Sequence, residues 1–385
     1  MSARAPAGRA HVGVNLLWLV PSVVGGSEEY TTRLLAAVAE RPHDDLDITL
    51  FVLRPFVDAY PELVDAFPTD VCSLSGRSKA LRIAAESTWL LAAARRRRVH
   101  LLHHAGGTIP MLRATPTILS IHDLQPLLMP SNFTGTKQRY LSRRLPASAA
   151  RTRMVISPSE FSRRTVVDML HVPEERTAVV PPGYTPALRE EPECDPRTAF
   201  GIDRPFFLYP AITYPHKNHL VLVRAFAQVV DQGVDALLVL THRPDVMEDE
   251  LQKLVIEEGL ADRVRRIGHV PRGDLDWLYG NAIALTFVSR FEGFGLPVLE
   301  AMGNRCPVIA ANATALPDVV GDAGILVDPD DVQGWATAML ELARDDERRA
   351  QLIEAGAARV GTFQWATSAS ALTNAYRSAA MMTDR

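Results

Sequence analysis

Residues 289–302 read Ser289-Arg-Phe-Glu-Gly-Phe-Gly-Leu-Pro-Val-Leu-Glu-Ala-Met302. They follow an apolar run, 282–289, whose length and composition predict a buried strand. Pro297 suits the first turn of a helix, because the amide that it lacks would have no partner there. The stretch therefore predicts a strand, a glycine-rich turn and a helix, which is the unit from which doubly wound parallel sheets are built.

The same alternation extends through the chain. The predicted strands are 11–20, 47–53, 99–103, 116–122, 153–157, 177–180, 205–210, 236–241, 264–268, 282–289, 307–311 and 324–327. The predicted helices are 27–40, 80–98, 136–150, 160–170, 219–232, 245–258, 273–279, 297–303, 331–344 and 346–360. This order predicts parallel sheets covered by helices on both faces.

The chain has 385 residues, enough for two domains that each bury a core. We predict an α/β protein of two facing, Rossmann-like, doubly wound domains, 1–188 and 204–360, joined by a proline-rich and acidic linker, 189–203. Ligands of such sheets bind beyond the carboxyl ends of the strands, so chemistry is expected in the cleft between the domains.

Composition excludes several classes of protein. With 47% hydrophobic and 22% charged residues the chain is neither disordered nor collagen-like. Its three cysteines (Cys72, Cys194 and Cys306) form no C-x-x-C pair, which favours a reducing compartment over a disulfide framework. No apolar run reaches the ~18 residues of a membrane-spanning helix. We therefore expect a cytoplasmic protein.

The net charge of −4 conceals an asymmetry. Residues 1–190 hold 23 Lys and Arg against 17 Asp and Glu, whereas the remainder holds 18 against 28. The basic excess lies in the arginine clusters Arg95–Arg98, Arg143/Arg144, Arg151/Arg153 and Arg163/Arg164. These clusters indicate either an anionic partner, such as a membrane surface, or a solvated face. They lack interleaved aromatic residues, which argues against nucleic acid.

Two features of the first half lie at predicted strand ends. Gly25-Gly26 precedes a predicted helix, where glycines allow close backbone approach and free amides suit an anion, although an ordinary turn capped by Ser27 fits equally. His122 ends a strand, where it is able to contact a polar ligand or to be purely structural. A metal site with His103 and His104 is not specified by their spacing.

In the second half, Lys217 follows the first predicted strand and precedes a helix. The chain has only four lysines, at positions 79, 137, 217 and 253, so a lysine here favours phosphate binding over a solvated flank. Glu292 and Glu300 flank the turn of the opening motif, where carboxylates suit hydroxyls of a sugar and a ribose, and turn amides suit a phosphate. A glycosidase pair is the alternative, but its negative charge would lie beside an anion-binding turn.

At these residues the sequence resembles the retaining glycosyltransferases of the GT-B fold, in particular family 4. Two glutamates with seven residues between them, Glu292 and Glu300, match the signature of that family. Other matching segments follow in the expected order: Gly25-Gly26, His122, Lys217-Asn218, 316–324 and 363–365. The resemblance also implies that residues 361–385 form a helix that crosses back to the first domain.

The resemblance implies a role for each matched position. Lys217 would neutralise the departing diphosphate, Glu292 would hold the donor sugar, and His122 would lie near its anomeric centre. The implied catalytic residues are His122, Lys217 and Glu292, and the implied donor-binding residues are Gly25, Gly26, His216, Lys217, Gly268, Val270, Glu292, Gly293, Phe294, Gly295, Leu296 and Glu300.

One departure concerns positive charge at the diphosphate. Many members carry an arginine five or six residues before the lysine, where this chain has Ala211 and Ile212, and a subset has arginine where this chain has His216. Charge compensation is then expected from Lys217, His216, Arg290 and helix N-termini. No D-x-D motif lies at a strand end, and the resemblance implies catalysis without a metal or other cofactor.

The expected function is transfer of a hexosyl group from a nucleotide sugar to a glycan or lipid-linked acceptor in cell-envelope polysaccharide or glycoconjugate synthesis. Family frequency, not any residue, points to mannose from GDP-mannose; UDP-sugars and dTDP-rhamnose stay open. The alternatives are a nucleotide-sugar epimerase or hydrolase of the same fold and a non-catalytic binding homologue. Because the first half is basic, peripheral contact with the inner face of an anionic membrane is an open alternative.

Overall fold

The computed structural model describes residues 9–382 except 24, 42, 113–114, 134, 186–191, 193–194 and 242–244. The chain divides into two compact units. The first unit comprises residues 1–183 and 364–385, and the second comprises residues 184–363. Each unit has one sheet and its own hydrophobic core.

The first unit is built on a seven-stranded sheet whose neighbours all pair in parallel. Its strands are β1 (Ala10–Asn15), β2 (Leu46–Leu53), β3 (Thr69–Cys72), β4 (Leu101–His104), β5 (Thr117–Ser120), β6 (Met154–Ser157) and β7 (Thr177–Val179), and their order is β3-β2-β1-β4-β5-β6-β7. The strand order reverses between β1 and β4: β2 and β3 are added on one side of β1, and β4 to β7 on the other. Loops that follow these two strands diverge there and leave a crevice at the carboxyl edge.

Helices connect these strands. They are α1 (Gly26–Ala39), α2 (Arg54–Ala59), α3 (Pro61–Ala66), α4 (Lys79–Ser87), α5 (Trp89–Arg96), α6 (Gln125–Leu128), α7 (Gly135–Ala150) and α8 (Glu160–Leu170). The bounds of α8 equal those predicted, because the Ser159 hydroxyl caps the helix by accepting from the amide of Ser162 at 3.1 Å.

The second unit has six parallel strands in the order β10-β9-β8-β11-β12-β13. These are β8 (Phe206–Tyr209), β9 (Leu237–Thr241), β10 (Val264–Gly268), β11 (Ala284–Phe287), β12 (Val308–Ala311) and β13 (Ile325–Val327). Its helices are α9 (Pro196–Phe200), α10 (His219–Asp231), α11 (Glu248–Glu257), α12 (Arg272–Asn281), α13 (Leu296–Gly303), α14 (Leu316–Val320), α15 (Val332–Arg344) and α16 (Asp346–Val360). Here the reversal lies between β8 and β11, so the loops after these two strands border the crevice.

The final helix, α17 (Trp365–Met381), packs in the first unit against α1 and the sheet. Its buried face is mostly apolar: Ala369, Leu372, Ala375, Tyr376 and Ala379 are each at most 4% exposed, and Ser368 and Thr373 are buried beside them. The hydroxyl of Tyr376 is hydrogen-bonded to Nδ1 of the buried His103 at 2.8 Å. Helix α17 is therefore part of the core of the first unit, although the whole second unit separates it in sequence.

Several local features differ from the predicted elements. Strand β1 ends at Asn15, five residues before the end of the predicted strand 11–20, and the short helices α2, α3, α6 and α14 were not predicted. The helix predicted at 80–98 is two helices, α4 and α5, because Thr88 leaves the helical region with φ −128° and ψ −73°. Edge strand β3 was not predicted, and its short length gives little periodicity to detect. Helix α9 lies within the segment predicted as a linker, capped by the Asp195 carboxylate; residues 189–191 and 193–194 of that segment lie outside the described residues.

Many arginines of the basic clusters are bound within the first unit. Arg96 and Arg97 both bind the Asp70 carboxylate, at 2.8 and 2.6 Å. Arg163 and Arg164 bind Glu160, at 2.6 and 3.1 Å. The pairs with Asp70 join the end of α5 to β3, whereas the pairs with Glu160 lie within α8. Much of the clustered charge is therefore structural. Among the described residues no helix has both the length and the apolar character needed to cross a bilayer.

Candidate active site

Lys217 lies in the loop after β8, at the point where the second sheet reverses. A single 3-10 turn, Pro215–Lys217, precedes Asn218, which adopts a left-handed conformation with φ +60° before α10 begins. The Tyr209 hydroxyl at the end of β8 donates to the carbonyl of Lys217 at 2.6 Å. The Asn218 amide group donates to the carbonyl of Pro329 at 2.5 Å. These bonds fix the backbone that carries the lysine.

The loop after β11 brings Glu292 to the same edge. The amide of Glu292 donates to the Thr314 hydroxyl at 3.0 Å, which holds the turn against the loop after β12. Gly295 ends the turn with φ +111°, a region that only glycine occupies without strain, and α13 starts at the next residue. The strand, turn and helix of the opening motif are thus confirmed.

The two loops meet in an ion pair. The Lys217 ammonium lies 2.5 Å from a carboxylate oxygen of Glu292, although the residues are 75 positions apart. The side chains are 19% and 15% exposed, so the pair is largely shielded from water but still reachable. The ammonium also lies 5.6 Å from the ring centre of Phe287. A cation and a carboxylate at one crevice are able to bind a phosphate and a hydroxyl side by side.

Glu300 projects from α13 and is held by α12. Arg272 donates to one of its oxygens at 2.6 Å, and the Tyr279 hydroxyl donates to the other at 3.1 Å. Arg272 also pairs with Asp276 at 3.0 Å. Burial acts to lower the pKa of Arg272, but the charges of Glu300 and Asp276 outweigh it and raise the pKa. Glu300 is therefore a fixed carboxylate, oriented by two neighbours that the sequence did not identify.

His216 and Arg290 were expected to add positive charge at the diphosphate. The structure shows one to be neutral and the other to pair with a carboxylate. Burial, together with the neighbouring charge of Lys217, lowers the pKa of His216 to about 3, so its imidazole is neutral at pH 7. Arg290 binds the carboxylate of Asp330 at 2.5 Å. His216 therefore adds no charge at this crevice, while Lys217 and Arg290 are cations that each pair with one carboxylate.

The remaining donor-site positions of the second unit lie on neighbouring turns. Gly268 ends β10 at a bulge with φ +74°, and Val270 follows it, buried. Phe294 is buried and packs edge-on against Phe363, with ring centres 5.8 Å apart. Leu296 is the first residue of α13, whose first-turn amides have no partner inside the helix. Gly293 lies between Glu292 and Phe294 in the same turn.

In the first unit, His122 lines a cavity of about 570 Å³ at the carboxyl edge of the sheet. Its Nε2 donates to the carbonyl of Ala105 at 3.2 Å, which leaves the lone pair on Nδ1. Burial lowers the pKa of His122, and the charge of Asp123 opposes part of this effect. Ser27, directly after Gly25 and Gly26, lines the same cavity. His122 and the residue that follows the Gly25-Gly26 pair therefore border the same space.

Gly25 closes a loop that a buried carboxylate stabilises. Gly25 has φ +77° and precedes α1. Glu28 in the first turn of α1 accepts from the amide of Ser22 at 2.9 Å and from the Tyr60 hydroxyl at 2.5 Å. The glycine turn is therefore held in shape before any ligand binds.

Sequence reasoning missed several polar residues of this cavity. Lys79, Arg82, Glu86 and Lys137 all line it. The scarcity of lysine, which singled out Lys217, was a signal that applied equally to positions 79 and 137. Within the described part of the chain, no three histidine, cysteine or acidic side chains are placed to hold a metal ion.

Known families match both halves of the chain. Residues 24–188 match the family described as Glycosyltransferase Family 4, and residues 192–359 match Glycosyl transferases group 1. The O-antigen chain mannosyltransferase B of Escherichia coli is 30% identical over 275 residues, which are 69% of this chain and 71% of that protein. This chain belongs to the family 4 glycosyltransferases.

Further comparisons agree with this membership. The O-antigen chain mannosyltransferase RfbU of Salmonella typhimurium is 26% identical over 82% of this chain and 86% of that glycosyltransferase. The crystal structure of Anabaena HepE in complex with UDP and glucose superposes with a TM-score of 0.71 at 20% identity, covering 96% of this chain and all of that one. The predicted GT-B fold of two parallel-sheet α/β domains is thus confirmed, as is transferase activity.

Proposed function

We propose that this glycosyltransferase moves a mannosyl group from GDP-mannose to a glycan or lipid-linked acceptor in cell-envelope polysaccharide synthesis, with retention of configuration. Support for mannose comes from the two enterobacterial relatives, both named as O-antigen chain mannosyltransferases. The observation that carries the donor site is the Lys217 and Glu292 pair at the reversal point of the second sheet.

The proposed reaction breaks the bond between the anomeric carbon and the donor phosphate oxygen, and the electron pair stays on the diphosphate. The acceptor oxygen bonds to the anomeric carbon on the same face and passes its proton to a diphosphate oxygen. Lys217 stabilises the negative charge that develops on the leaving group. Since hydrogen bonds already fix its backbone, little reorganisation is needed when that charge forms.

In this proposal the two glutamates bind different parts of the donor. Glu292 accepts from hydroxyls of the sugar beside the cation. Glu300 accepts from the ribose hydroxyls, and Arg272 with Tyr279 keeps its carboxylate in one orientation. Both roles are those of hydrogen-bond acceptors, which the two oxygens of a carboxylate supply.

The donor is tested by a thermal-shift panel of GDP-mannose, UDP-glucose and dTDP-rhamnose. GDP-mannose at 100 times its dissociation constant is expected to stabilise the protein by about 2.7 kcal/mol, because it binds only the folded state. Stabilisation by UDP-glucose and not by GDP-mannose would overturn the choice of donor while leaving the transferase intact. Free nucleoside diphosphate with an altered free sugar, formed without acceptor, would instead indicate an epimerase.

Glu292→Gln tests the site. The substitution keeps the shape of the side chain but removes its charge, so transfer is expected to fall about 100-fold or more. Lys253→Ala, at an exposed lysine paired with Glu257, is the control and is expected to leave transfer unchanged. Near-normal transfer by a folded Glu292→Gln protein would refute the assignment. The anomeric configuration of the product, read by proton NMR, tests retention.

The proposal includes catalysis without a metal ion, since Lys217 supplies a cation where the diphosphate departs. Transfer is expected to be the same before and after treatment with EDTA, and a loss that Mg²⁺ or Mn²⁺ restores would contradict this. We place the enzyme in the cytoplasm, against an anionic membrane surface. The buried free thiols of Cys72 and Cys306 support a reducing compartment. Equal co-sedimentation with anionic and neutral vesicles would contradict the membrane contact.

A further inference from the structure

The cavity of the first unit has a cationic side that the proposed transfer reaction does not yet explain. It opens at the carboxyl edge between β1 and β4, with Trp18 and Gly106 from the loops after these strands in its wall. Lys79, Arg82 and Lys137 line it as well. Two of the four lysines of the whole chain therefore face one space.

Both lysines sit where a cation is unfavourable for the helix that carries it. Lys79 is the first residue of α4, and Lys137 lies in the first turn of α7. Neither first turn contains an acidic residue. A helix N-terminus carries partial positive charge, so lysines there lower the stability of the helix. Residues whose charge opposes the stability of their own helix in this way are typical of binding sites.

The two ammonium groups contact aromatic rings. Lys79 Nζ lies 5.8 Å from the ring centre of Tyr140, and Lys137 Nζ lies 5.0 Å from that of Phe133. Among the residues that the structure describes, neither ammonium forms an ion pair with a carboxylate. Burial, and then the like charges of Lys137 and Arg82, lowers the pKa of Lys79, which reflects how close the three cations lie.

The guanidinium group of Arg82 has a donor nitrogen that is not used within the described residues. One terminal nitrogen donates to the carbonyl of Trp18 at 2.7 Å, which orients the guanidinium. Its Nε is buried and has no partner within the described residues. Two acidic side chains also line the cavity: Glu86 accepts from Asn15 at 3.0 Å, and Asp123 accepts from the amide of Gln125 at 2.9 Å. Burial raises the pKa of Glu86, and the hydrogen bond from Asn15 and the charge of Arg82 oppose that rise. The wall therefore holds three cations against two carboxylates and keeps an excess of positive charge.

We propose that Lys79, Arg82 and Lys137 bind a phosphoryl group of the acceptor. This inference rests on the proposed function, because the acceptor is what the first unit is expected to hold. A phosphate monoester or diphosphate supplies several charged oxygens, which suit two ammonium groups and one guanidinium. Phe133, Leu141 and Leu145 form an apolar wall of the same cavity and leave room for either a lipid or a sugar beyond the phosphate.

The lysines themselves provide the test. Reductive methylation with ¹³C-formaldehyde gives one dimethyl-lysine NMR signal for each of the four lysines, and single Lys→Arg variants assign them. Geranyl diphosphate serves as the lipid-borne probe and glucose 1-phosphate as the sugar-borne probe. We expect the signals of Lys79 and Lys137 to shift with at least one probe, while Lys253, on an exposed helix face, stays in place.

Each outcome decides the matter. A shift with geranyl diphosphate alone assigns a lipid phosphate, a shift with glucose 1-phosphate alone assigns a sugar phosphate, and shifts with both assign recognition of the phosphoryl group itself. No shift at Lys79 and Lys137 with either probe overturns the proposal, as does an equal shift at Lys253. The readout needs no turnover, so it stands even if the proposed transfer reaction fails.

Kinetics give a second test once an acceptor substrate is in hand. The double variant Lys79→Ala/Lys137→Ala is expected to raise KM for a phosphorylated acceptor by about tenfold or more for each lysine, since hydrogen bonds to charged groups contribute that much. The thermal shift caused by the donor should not change. An unaltered KM would place the acceptor phosphate elsewhere and leave the donor site unaffected.

Discussion

Arg272 illustrates how single residues prepare this site. Its guanidinium spans two carboxylates, Glu300 and Asp276, and only 28% of the side chain is exposed. Such a pair does little for net stability while intact, but removing one partner leaves charge without compensation. The residue is therefore a positioning residue for the nucleotide site.

Arg272→Ala is expected to lower the free energy of unfolding by roughly 3 kcal/mol, because it removes the positive charge that compensates the shielded carboxylates of Glu300 and Asp276. It should also weaken nucleotide binding, measured as a smaller thermal shift with donor. Arg348→Ala, which breaks the more exposed pair with Glu341, is the control and should cost less than about 1 kcal/mol. Equal effects of the two variants would remove the case for a special role of Arg272.

Residue-level prediction from sequence succeeded where the signal was local. Glu292, Glu300 and Lys217 stand out because spacing and lysine scarcity are visible in the sequence itself. Arg272 and Glu300 are 28 positions apart, and nothing in either segment indicates that α12 and α13 bring them together. The neutral state of His216 likewise depends on burial, which spacing does not reveal.

At the scale of the element, the turn between β11 and α13 depends on Gly295. A Cβ there would lie 2.6 Å from the Leu316 side chain, and φ is +111°. Gly295→Ala is expected to destabilise the protein by about 2–4 kcal/mol, from backbone strain and overpacking together. The measurement is urea unfolding.

Gly233→Ala is the matched control for that substitution. Gly233 has φ +83°, but a Cβ there meets no atom within 4 Å. Only the strain of about 1–2 kcal/mol should remain. If the two substitutions cost the same, contact with Leu316 does not constrain the turn.

Strand β4 carries two buried histidines that make stability depend on pH. Burial, with smaller effects of neighbouring histidines, lowers the pKa of His103 to about 3, and burial alone lowers the pKa of His104 to about 3. Both are neutral in the folded state, whereas in the unfolded chain they gain protons below about pH 6.5. Their contribution to stability is complete above that pH and is lost as the pH falls towards 3.

Between pH 7 and pH 5 the free energy of unfolding is therefore expected to fall by about 2 kcal/mol for each of these histidines. His104→Gln should remove about that much of the pH dependence, measured by urea unfolding at both values. The same variant at pH 8, where neither state is protonated, gives the cost of the substitution itself. An unchanged pH dependence would show that His104 is not the titrating group.

Element prediction was good where periodicity was long and caps were present, and weaker elsewhere. Ser159, Asp331 and Asp345 cap α8, α15 and α16 in the structure, and the predicted bounds of these helices lie within one residue of the observed ones. The break at Thr88 and the edge strand β3 were missed, because both depend on packing against other elements and not on the local pattern.

At the scale of the whole molecule, the chain leaves the first unit at Gly183 and returns to it after Phe363. The outgoing and returning segments of the first unit approach each other closely, since a Cβ on Gly183 would lie 2.3 Å from the backbone nitrogen of Trp365. A fragment of residues 184–363 is expected to fold alone, since its core is continuous in sequence. A fragment of residues 1–183 should not unfold cooperatively, because it lacks the apolar face of α17.

Circular dichroism and urea unfolding of the two fragments check this expectation. Adding residues 364–385 to the shorter fragment through a flexible linker should restore a cooperative transition. A sharp transition for residues 1–183 alone would contradict the role assigned to α17. The alternating pattern did predict two doubly wound sheets, but the energetic dependence of one on a distant helix is a tertiary property.

Helix α17 also sets an order of events during synthesis. When the ribosome has finished residues 184–363, every strand of the second unit exists, whereas the first unit still lacks Tyr376 and its neighbours. The second unit is thus able to reach its native state before the first unit, although most of the first unit is synthesised earlier. Until translation passes α17, the first unit exposes an apolar surface that chaperones recognise, so truncation by a premature stop codon is expected to yield aggregation and not a half-active enzyme.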